Sequence, residues 1–155
     1  MAPTMVRYAA GGWGVGELWL DADRLLWSEL PRRGREPQGS HPLAERFTAY
    51  FAGADVSFDN VEVDLEDETP FGRALAAALR AVPRGEVVSY GELAELAGRR
   101  RAARAAGSFC ARNRFAIVIP CHRVVSADGL GSYGSLGLEY KRRLLAMEGW
   151  HGALR

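Results

Sequence analysis

Two residues with reactive side chains stand side by side late in the chain, Cys121 and His122, within Ile119-Pro120-Cys121-His122-Arg123-Val124-Val125. A thiol attacks as its thiolate, so a thiol beside an imidazole that can take its proton is a candidate for nucleophilic chemistry. The apolar run Phe115–Ile119 ahead of the pair reads as a short buried strand. The glycine-rich stretch Gly129–Gly137 after it reads as a flexible cover. Taken alone, the pair fits an inert core cysteine beside a surface histidine at least as well. The rest of the chain has to decide.

Other reactive residues are sparse. Cys110 and Cys121 are the only two cysteines, too few for a disulfide framework, and His41, His122 and His151 are scattered with no CxxC, which argues against a zinc cluster or any other metal site. At 155 residues the chain has room for one medium domain or two small lobes. Its apolar runs are too short to span a bilayer, and the start lacks the pattern of a secretion signal, so a cytoplasmic protein with no membrane partner is expected.

The net charge of +1 hides a strong polarity. Residues 1–69 hold six Arg/Lys against 13 Asp/Glu, whereas residues 70–155 hold 14 against six. Attraction between two oppositely charged lobes would account for the imbalance, but the basic residues are clustered. Arg99, Arg100, Arg101 and Arg104 form one group and Lys141, Arg142 and Arg143 another. Tight basic groups fit a polyanion, most commonly nucleic acid.

The elements that must position these groups can be read in order. Trp13, Val15, Leu18 and Leu20, then Leu25, Leu26, Trp27 and Leu30, predict two strands joined by a hairpin turn at Asp21-Ala22-Asp23, with Trp13, Trp19 and Trp27 read as packing residues of the small sheet ahead of a stacking platform for bases. Arg32–Ser40 reads as a loop. His41–Phe51 predicts an amphipathic helix with His41 at its cap, Val56–Leu65 a half-buried strand, and Asp64–Glu68 a solvated acidic linker. Thr69 suits an N-cap and Pro70 the first helical position, with Phe71, Leu75, Leu79 and Val82 as the apolar stripe of a helix stopped by Gly85. Ser89 and Glu92 have capping-box spacing for a helix ended by Gly98. A further helix is expected from about Arg101 to Arg112, and a last one over Leu138–Glu148 closed by Gly149.

Helix, glycine turn, helix is a helix-turn-helix pattern. In its second helix Ala102, Ala106 and Phe109 can face a core while Arg101, Arg104 and Arg112 fall elsewhere. Ala103, Ala105 and Gly107 leave the remaining surface smooth enough for a nucleic-acid backbone to approach.

With the helix-turn-helix and IPCHRVV in one line, the sequence resembles the O6-alkylguanine-DNA alkyltransferases. The resemblance covers roughly Thr69–Gly149 and is carried by GEVVSYGELAELAG, RAARAAG, Asn113 six residues before IPCHRVV, the glycine loop and LLAMEG, all in order. It implies that Cys121 takes an alkyl group from guanine O6 and keeps it, so that the protein acts once and needs no cofactor. His122 is then the base. Because adjacent side chains do not face each other on regular elements, the implied relay runs from cysteine through a water to histidine and on to Glu148. The resemblance further implies that Tyr90 helps rotate the nucleotide and protonates the leaving guanine, and that Arg104 fills the gap in the base stack. Arg101, Ala103, Ala105 and Gly107 lie on the same DNA-facing helix. Asn113 braces the active-site turn, the carbonyls of Cys121 and Val124 read the guanine amino group, and Tyr133, Gly134 and Ser135 wall the pocket. Flipping is required because O6 is out of reach inside the stack, at a cost of roughly a few kcal/mol. The helix enters the minor groove, where little sequence is read.

This chain departs from the family pattern in four places. The loop before Tyr133 is one residue shorter, which leaves Gly134 and Ser135 as alternatives for the same pocket contact. Ala116 replaces a common proline. Cys110 replaces a larger apolar residue and reads as a core thiol or a second acceptor. The N-terminal lobe has no zinc ligands.

The competing readings each leave something idle. A non-catalytic relative that binds alkylated DNA and flags it would lack the acceptor cysteine. A transcription regulator would not use the Cys-His motif, and a thiol hydrolase would not need the arginine helix. The expectation is an α/β (α+β) protein with a small sheet-containing N-terminal lobe, residues 1–68. The mostly helical lobe, residues 69–155, carries the helix-turn-helix and the alkyl acceptor. The protein would be monomeric, with double-stranded DNA carrying O6-alkylguanine as its partner.

Overall fold

The structure is a computed structural model and describes residues 2–152. The chain divides into two compact units. One holds residues up to Asp64 together with Arg114–Val118; the other holds Leu65–Asn113 and the chain from Ile119 onward. The α/β expectation holds, with five α-helices, a three-stranded antiparallel sheet and a two-stranded parallel pair among the described residues.

The first unit is a meander of β1 (Thr4–Ala10), β2 (Gly14–Asp21) and β3 (Arg24–Arg32), with α1 (Pro42–Phe51) packed against it. Alternation along β1 and β2 sends Val6, Tyr8, Leu18 and Leu20 inward. They meet a core of rings: Tyr8 lies 5.2 Å from Phe47, Trp13 5.2 Å from Phe51, and Phe47 5.0 Å from Phe58, measured between centroids. Each such side chain, fully buried, contributes about 1.5–3 kcal/mol. His41 is the N-cap of α1, its Nδ1 accepting from the Leu43 backbone N–H at 3.0 Å.

Several expectations for this unit change. Val56–Leu65 is not a strand: it turns at Asp59-Asn60, with Val61 N donating to Phe58 O at 3.1 Å, and touches the sheet at a single bridge from Val63 to Leu25. Nor is Phe115–Ile119 a strand. It makes one bridge, Phe115 to Ser28, and then turns, with the β-branched Ile117 at φ +76°. That left-handed conformation costs roughly 1–3 kcal/mol. An apolar run buried on all sides looks the same in sequence whether it is extended or folded into a turn. The two segments cap the outer edge of β3, through Leu25 N to Glu62 O at 2.8 Å and Ser28 N to Arg114 O at 2.7 Å. Trp19 and Trp27 are not core residues. They pair across β2 and β3 on the solvent face, where the Trp19 indole donates to Glu17 at 3.0 Å.

The second unit begins at Leu65. Thr69 Oγ1 accepts from Gly72 N at 3.0 Å and caps α2 (Pro70–Arg80), which buries Leu75, Ala76 and Leu79. The Ser89–Glu92 capping box is formed in both directions, at 3.0 and 2.9 Å, and starts α3 (Tyr90–Leu96). Gly98, at φ +100°, turns the chain into α4 (Ala103–Ala111), which packs on α3 through Ala106 and Phe109. Helix α4 starts two residues later than the arginine pattern predicts, because Ala102 at φ −104° is its N-cap and has no side chain to cap with. The acidic tract is not simply solvated: within this unit Glu68 pairs with Arg112 at 2.7 Å. Helix α5 (Gly137–Met147) closes the unit on Leu144 and Leu145.

Candidate active site

Cys121, His122 and Arg123 form one turn of 3-10 helix that runs straight into β5 (Val124–Val125). β5 pairs in parallel with β4 (Val88–Ser89), and β4 leads directly into Tyr90, the first residue of α3. The two-residue parallel pair therefore ties the Cys-His turn, which enters it, to Tyr90, which leaves it at the opposite end. Asn113 braces the turn from the other side, its Nδ2 donating to Ile119 O at 2.9 Å and its side chain hydrogen-bonding Cys121.

Glu148 is the C-cap of α5 and, like His122, its side chain is wholly buried. Its Oε2 lies 2.9 Å from His122 Nε2, while Arg123 grips both carboxylate oxygens, Nε to Oε1 and Nη2 to Oε2, each at 2.9 Å. Arg123 Nη1 donates to Val82 O at 2.8 Å, which fixes the guanidinium in plane. Burial works to raise the Glu148 pKa, but the hydrogen bonds from His122 and Arg123 outweigh it and hold the carboxyl well below its ordinary value of 4.5. An ionised carboxylate only accepts, so His122 carries its proton on Nε2 and presents the lone pair of Nδ1. That Nδ1 is buried and has no hydrogen-bond partner among the described residues. Burial lowers the His122 pKa, against the pull of Glu148, so the ring is neutral at physiological pH.

Cys121 is 7% exposed. Burial raises its thiol well above the ordinary value and the contact with Cys110 raises it further, while Asn113 and the charge on Lys141 pull the other way. The resting side chain is therefore a protonated thiol that requires a base.

The glycine-rich stretch is organised more than its composition suggests. Lys141, counted above among the surface basic residues, is completely buried. Its ammonium donates to Val124 O at 2.6 Å, Leu130 O at 2.5 Å and Ser132 O at 3.2 Å, pinning the segment against β5. Burial lowers its pKa from 10.5 to about 8. Tyr90 is held beneath the same segment, accepting hydrogen bonds from Ser132, and Gly131 crosses its ring so closely that a Cβ there would stand 3.1 Å from it. Tyr133 lies 6.5 Å from Tyr140 between ring centroids, and burial followed by the neighbouring Cys121 pushes its hydroxyl pKa well up. Gly134 and Ser135 are exposed in a 3-10 turn, Gly134–Leu136. The two carbonyls expected to read a base are already engaged once each, Val124 O by Lys141 and Cys121 O by Val124 N; each oxygen keeps a second lone pair.

On α4, Ala103, Arg104 and Ala105 are exposed and Gly107 is half-buried, with Tyr90 under it. Arg104 and the exposed Arg101 make no hydrogen bond or ion pair with the described residues, whereas Arg112 is engaged by Glu68 and Arg99 lies 4.4 Å over the Phe71 ring. The basic surface is thus narrower than the count of charges suggests.

Sequence reasoning missed Arg123 and Lys141. Arg123 sits inside the PCHR motif, and a buried glutamate that orients a histidine needs a second cation to stay ionised. Lys141 carried a weaker signal: it is three and four residues from Leu144 and Leu145, on the apolar face of α5.

The comparisons with known proteins agree with this geometry. Residues 70–150 match the family model described as 6-O-methylguanine DNA methyltransferase, DNA binding domain. The chain is 43% identical over 132 residues to a methylated-DNA–protein-cysteine methyltransferase of Mycolicibacterium paratuberculosis, covering 84% of this chain and 74% of the relative. It is 41% identical over 129 residues to a protein of the same name from Methanopyrus kandleri, covering 81% and 95%. Among solved structures, that of Mycobacterium tuberculosis OGT in complex with DNA is similar with a TM-score of 0.77 and 34% identity, covering 93% of this chain and 92% of that one.

Proposed function

The chain belongs to the 6-O-methylguanine DNA methyltransferase family, and from that premise we propose that it repairs O6-alkylguanine in duplex DNA by moving the alkyl group onto its own Cys121. The observation that carries the reading is the free lone pair of His122 Nδ1, set by an ionised Glu148 behind it and lying in the same turn as a buried thiol.

His122 takes the thiol proton through one water, and Glu148 stabilises the imidazolium that results. The Cys121 thiolate attacks the alkyl carbon in line; the S–C bond forms, the C–O6 bond breaks, and its electron pair leaves with the guanine. Tyr90, kept protonated by burial, gives that guanine a proton. The product is a neutral thioether with no leaving group that water can expel, so each molecule acts once. Lesion and thiol balance the step between them, without a cofactor.

Arg104 enters the gap left by the flipped nucleotide. Arg101, Ala103, Ala105 and Gly107 face the DNA, Asn113 braces the turn, and Val124, Tyr133, Gly134 and Ser135 shape the base pocket. The unit made of Leu65–Asn113 and the chain from Ile119 onward supplies the DNA-binding and acceptor functions. The protein works as a monomer in the cytoplasm, and no helix among the described residues is long and apolar enough to cross a membrane. Non-catalytic recognition of lesions, the alternative, would leave Cys121 and the His122–Glu148–Arg123 chain without a purpose.

The test is peptide mass after incubation with a duplex containing O6-methylguanine. One methyl group on Phe115–Arg123, absent in Cys121→Ala, is the expected result. Lesion-selective binding with unchanged mass would assign the protein to the non-catalytic class.

A further inference from the structure

Cys110 has no part in the transfer step, yet it lies against the residue that performs it. It stands near the end of α4, half-buried, with its thiol beside the Cys121 thiol. Both are reduced. Backbone geometry holds them together: Asn113 N donates to Cys110 O at 3.3 Å while Asn113 Nδ2 donates to Ile119 O at 2.9 Å, so one asparagine ties the end of α4 to the Cys121 turn. Thiols in contact across so short a loop are placed to react with each other before either reacts with a second protein.

We propose that Cys110 and Cys121 form a redox pair in which a hydroperoxide closes a reversible Cys110–Cys121 disulfide. One sulfur, that of the more accessible Cys110, attacks the peroxide; the O–O bond breaks, giving a sulfenic acid and water. Cys121 then attacks that sulfur, the S–S bond forms, the S–O bond breaks, and the departing hydroxide leaves as water with the proton of the attacking thiol. Two thiols are oxidised by two electrons, and one hydrogen peroxide becomes two waters. The disulfide withdraws the alkyl acceptor while shielding it from sulfinic and sulfonic oxidation, which thiols do not reverse. Loss of repair on oxidation rests on Cys121 being the acceptor; the disulfide itself does not.

The experiment treats the full chain with hydrogen peroxide, caps remaining thiols with N-ethylmaleimide and digests with trypsin. Wild type is expected to yield Ala105–Arg112 linked to Phe115–Arg123, with methyl transfer lost and then regained in dithiothreitol. In Cys110→Ser and Cys110→Ala the linked pair is expected to vanish, Cys121 to advance to sulfinic and sulfonic acid, and transfer to stay lost relative to each variant's own untreated activity. A wild type with no linked pair and an over-oxidised Cys121 overturns the proposal, as does equal recovery of wild type and both variants. If untreated wild type transfers no methyl but the linked peptides still form, the redox pair stands and the acceptor reading falls.

Discussion

Glu148 holds His122 from behind, Oε2 to Nε2 at 2.9 Å, with neither side chain reaching solvent. A carboxylate so buried survives only because Arg123 binds both its oxygens. The imidazole, the carboxylate behind it and the cation that keeps that carboxylate ionised thus form a single unit, assembled from one 3-10 turn and the C-cap of α5.

Glu148→Gln keeps the shape of this unit but removes its charge. The single-turnover rate of methyl transfer should fall roughly 100-fold, the scale of a lost general base. Arg123→Ala should instead act mainly on folding, by about 3–5 kcal/mol, since it strands a buried carboxylate. Stopped-time transfer assays and denaturant melts separate the two. A Glu148→Gln protein with wild-type rates would remove the relay from the mechanism.

Lys141 tests whether the glycine-rich segment is a built wall or a loose cover. Lys141→Met leaves Val124, Leu130 and Ser132 carbonyls without their donor, costing on the order of 3 kcal/mol. Amide exchange over residues 130–137 should speed up while that of α2 stays slow. Uniform protection across both regions in the variant would show that the lysine does not organise the segment.

Gly131 sits at φ +79° with a Cβ position 3.1 Å from the Tyr90 ring; Gly134, at φ +49°, has open space around it. Gly131→Ala should cost roughly 1–3 kcal/mol in backbone strain and slow transfer by displacing Tyr90. Gly134→Ala shares the backbone strain but not the displacement. Equal transfer rates in the two variants would count against a positioned Tyr90.

Acid should destabilise the protein through two groups acting in the same direction. The folded pKa of His122 lies below its ordinary 6.5, so between those values the unfolded chain binds a proton that the folded chain refuses, and stability drops as pH falls. The Glu148 carboxyl lies well below 4.5, so its contribution is complete above 4.5 and is lost as pH falls toward the folded value. Thermal melts from pH 4 to 8 should show the decline starting near 6.5 in wild type and only near 4.5 in His122→Asn. Parallel curves for the two proteins would mean that His122 is not held neutral by burial.

Arg104→Ala should weaken binding to lesion-containing duplex roughly tenfold and lower transfer from that duplex in step. Transfer from a free O6-alkylguanine base should be unchanged, because no stack has to be filled. Slower reaction with the free base would assign Arg104 to the pocket and not to the DNA.

Much of this was legible in the chain of residues, because local chemistry determines it. Thr69 and Pro70, the Ser89–Glu92 box and Gly98 set the ends of their helices with groups a few residues apart, and those signals do not depend on the rest of the fold. The IPCHRVV motif marked the thiol and its histidine in the same way. Burial and partners at long range were beyond the sequence. Phe115–Ile119 has the composition of a strand, and only the bridge to Ser28 and the brace from Asn113 make it a turn. Trp19 and Trp27 read as packing residues of the sheet, and only the fold shows that α1 covers the other face and leaves them on the solvent side. Lys141 reads as a surface charge until three carbonyls from residues 124–132 converge on it. A side chain's type and its neighbours in sequence establish what it can do. Whether it is solvated, paired or buried depends on residues far along the chain, and that choice sets its charge, its proton and its chemistry.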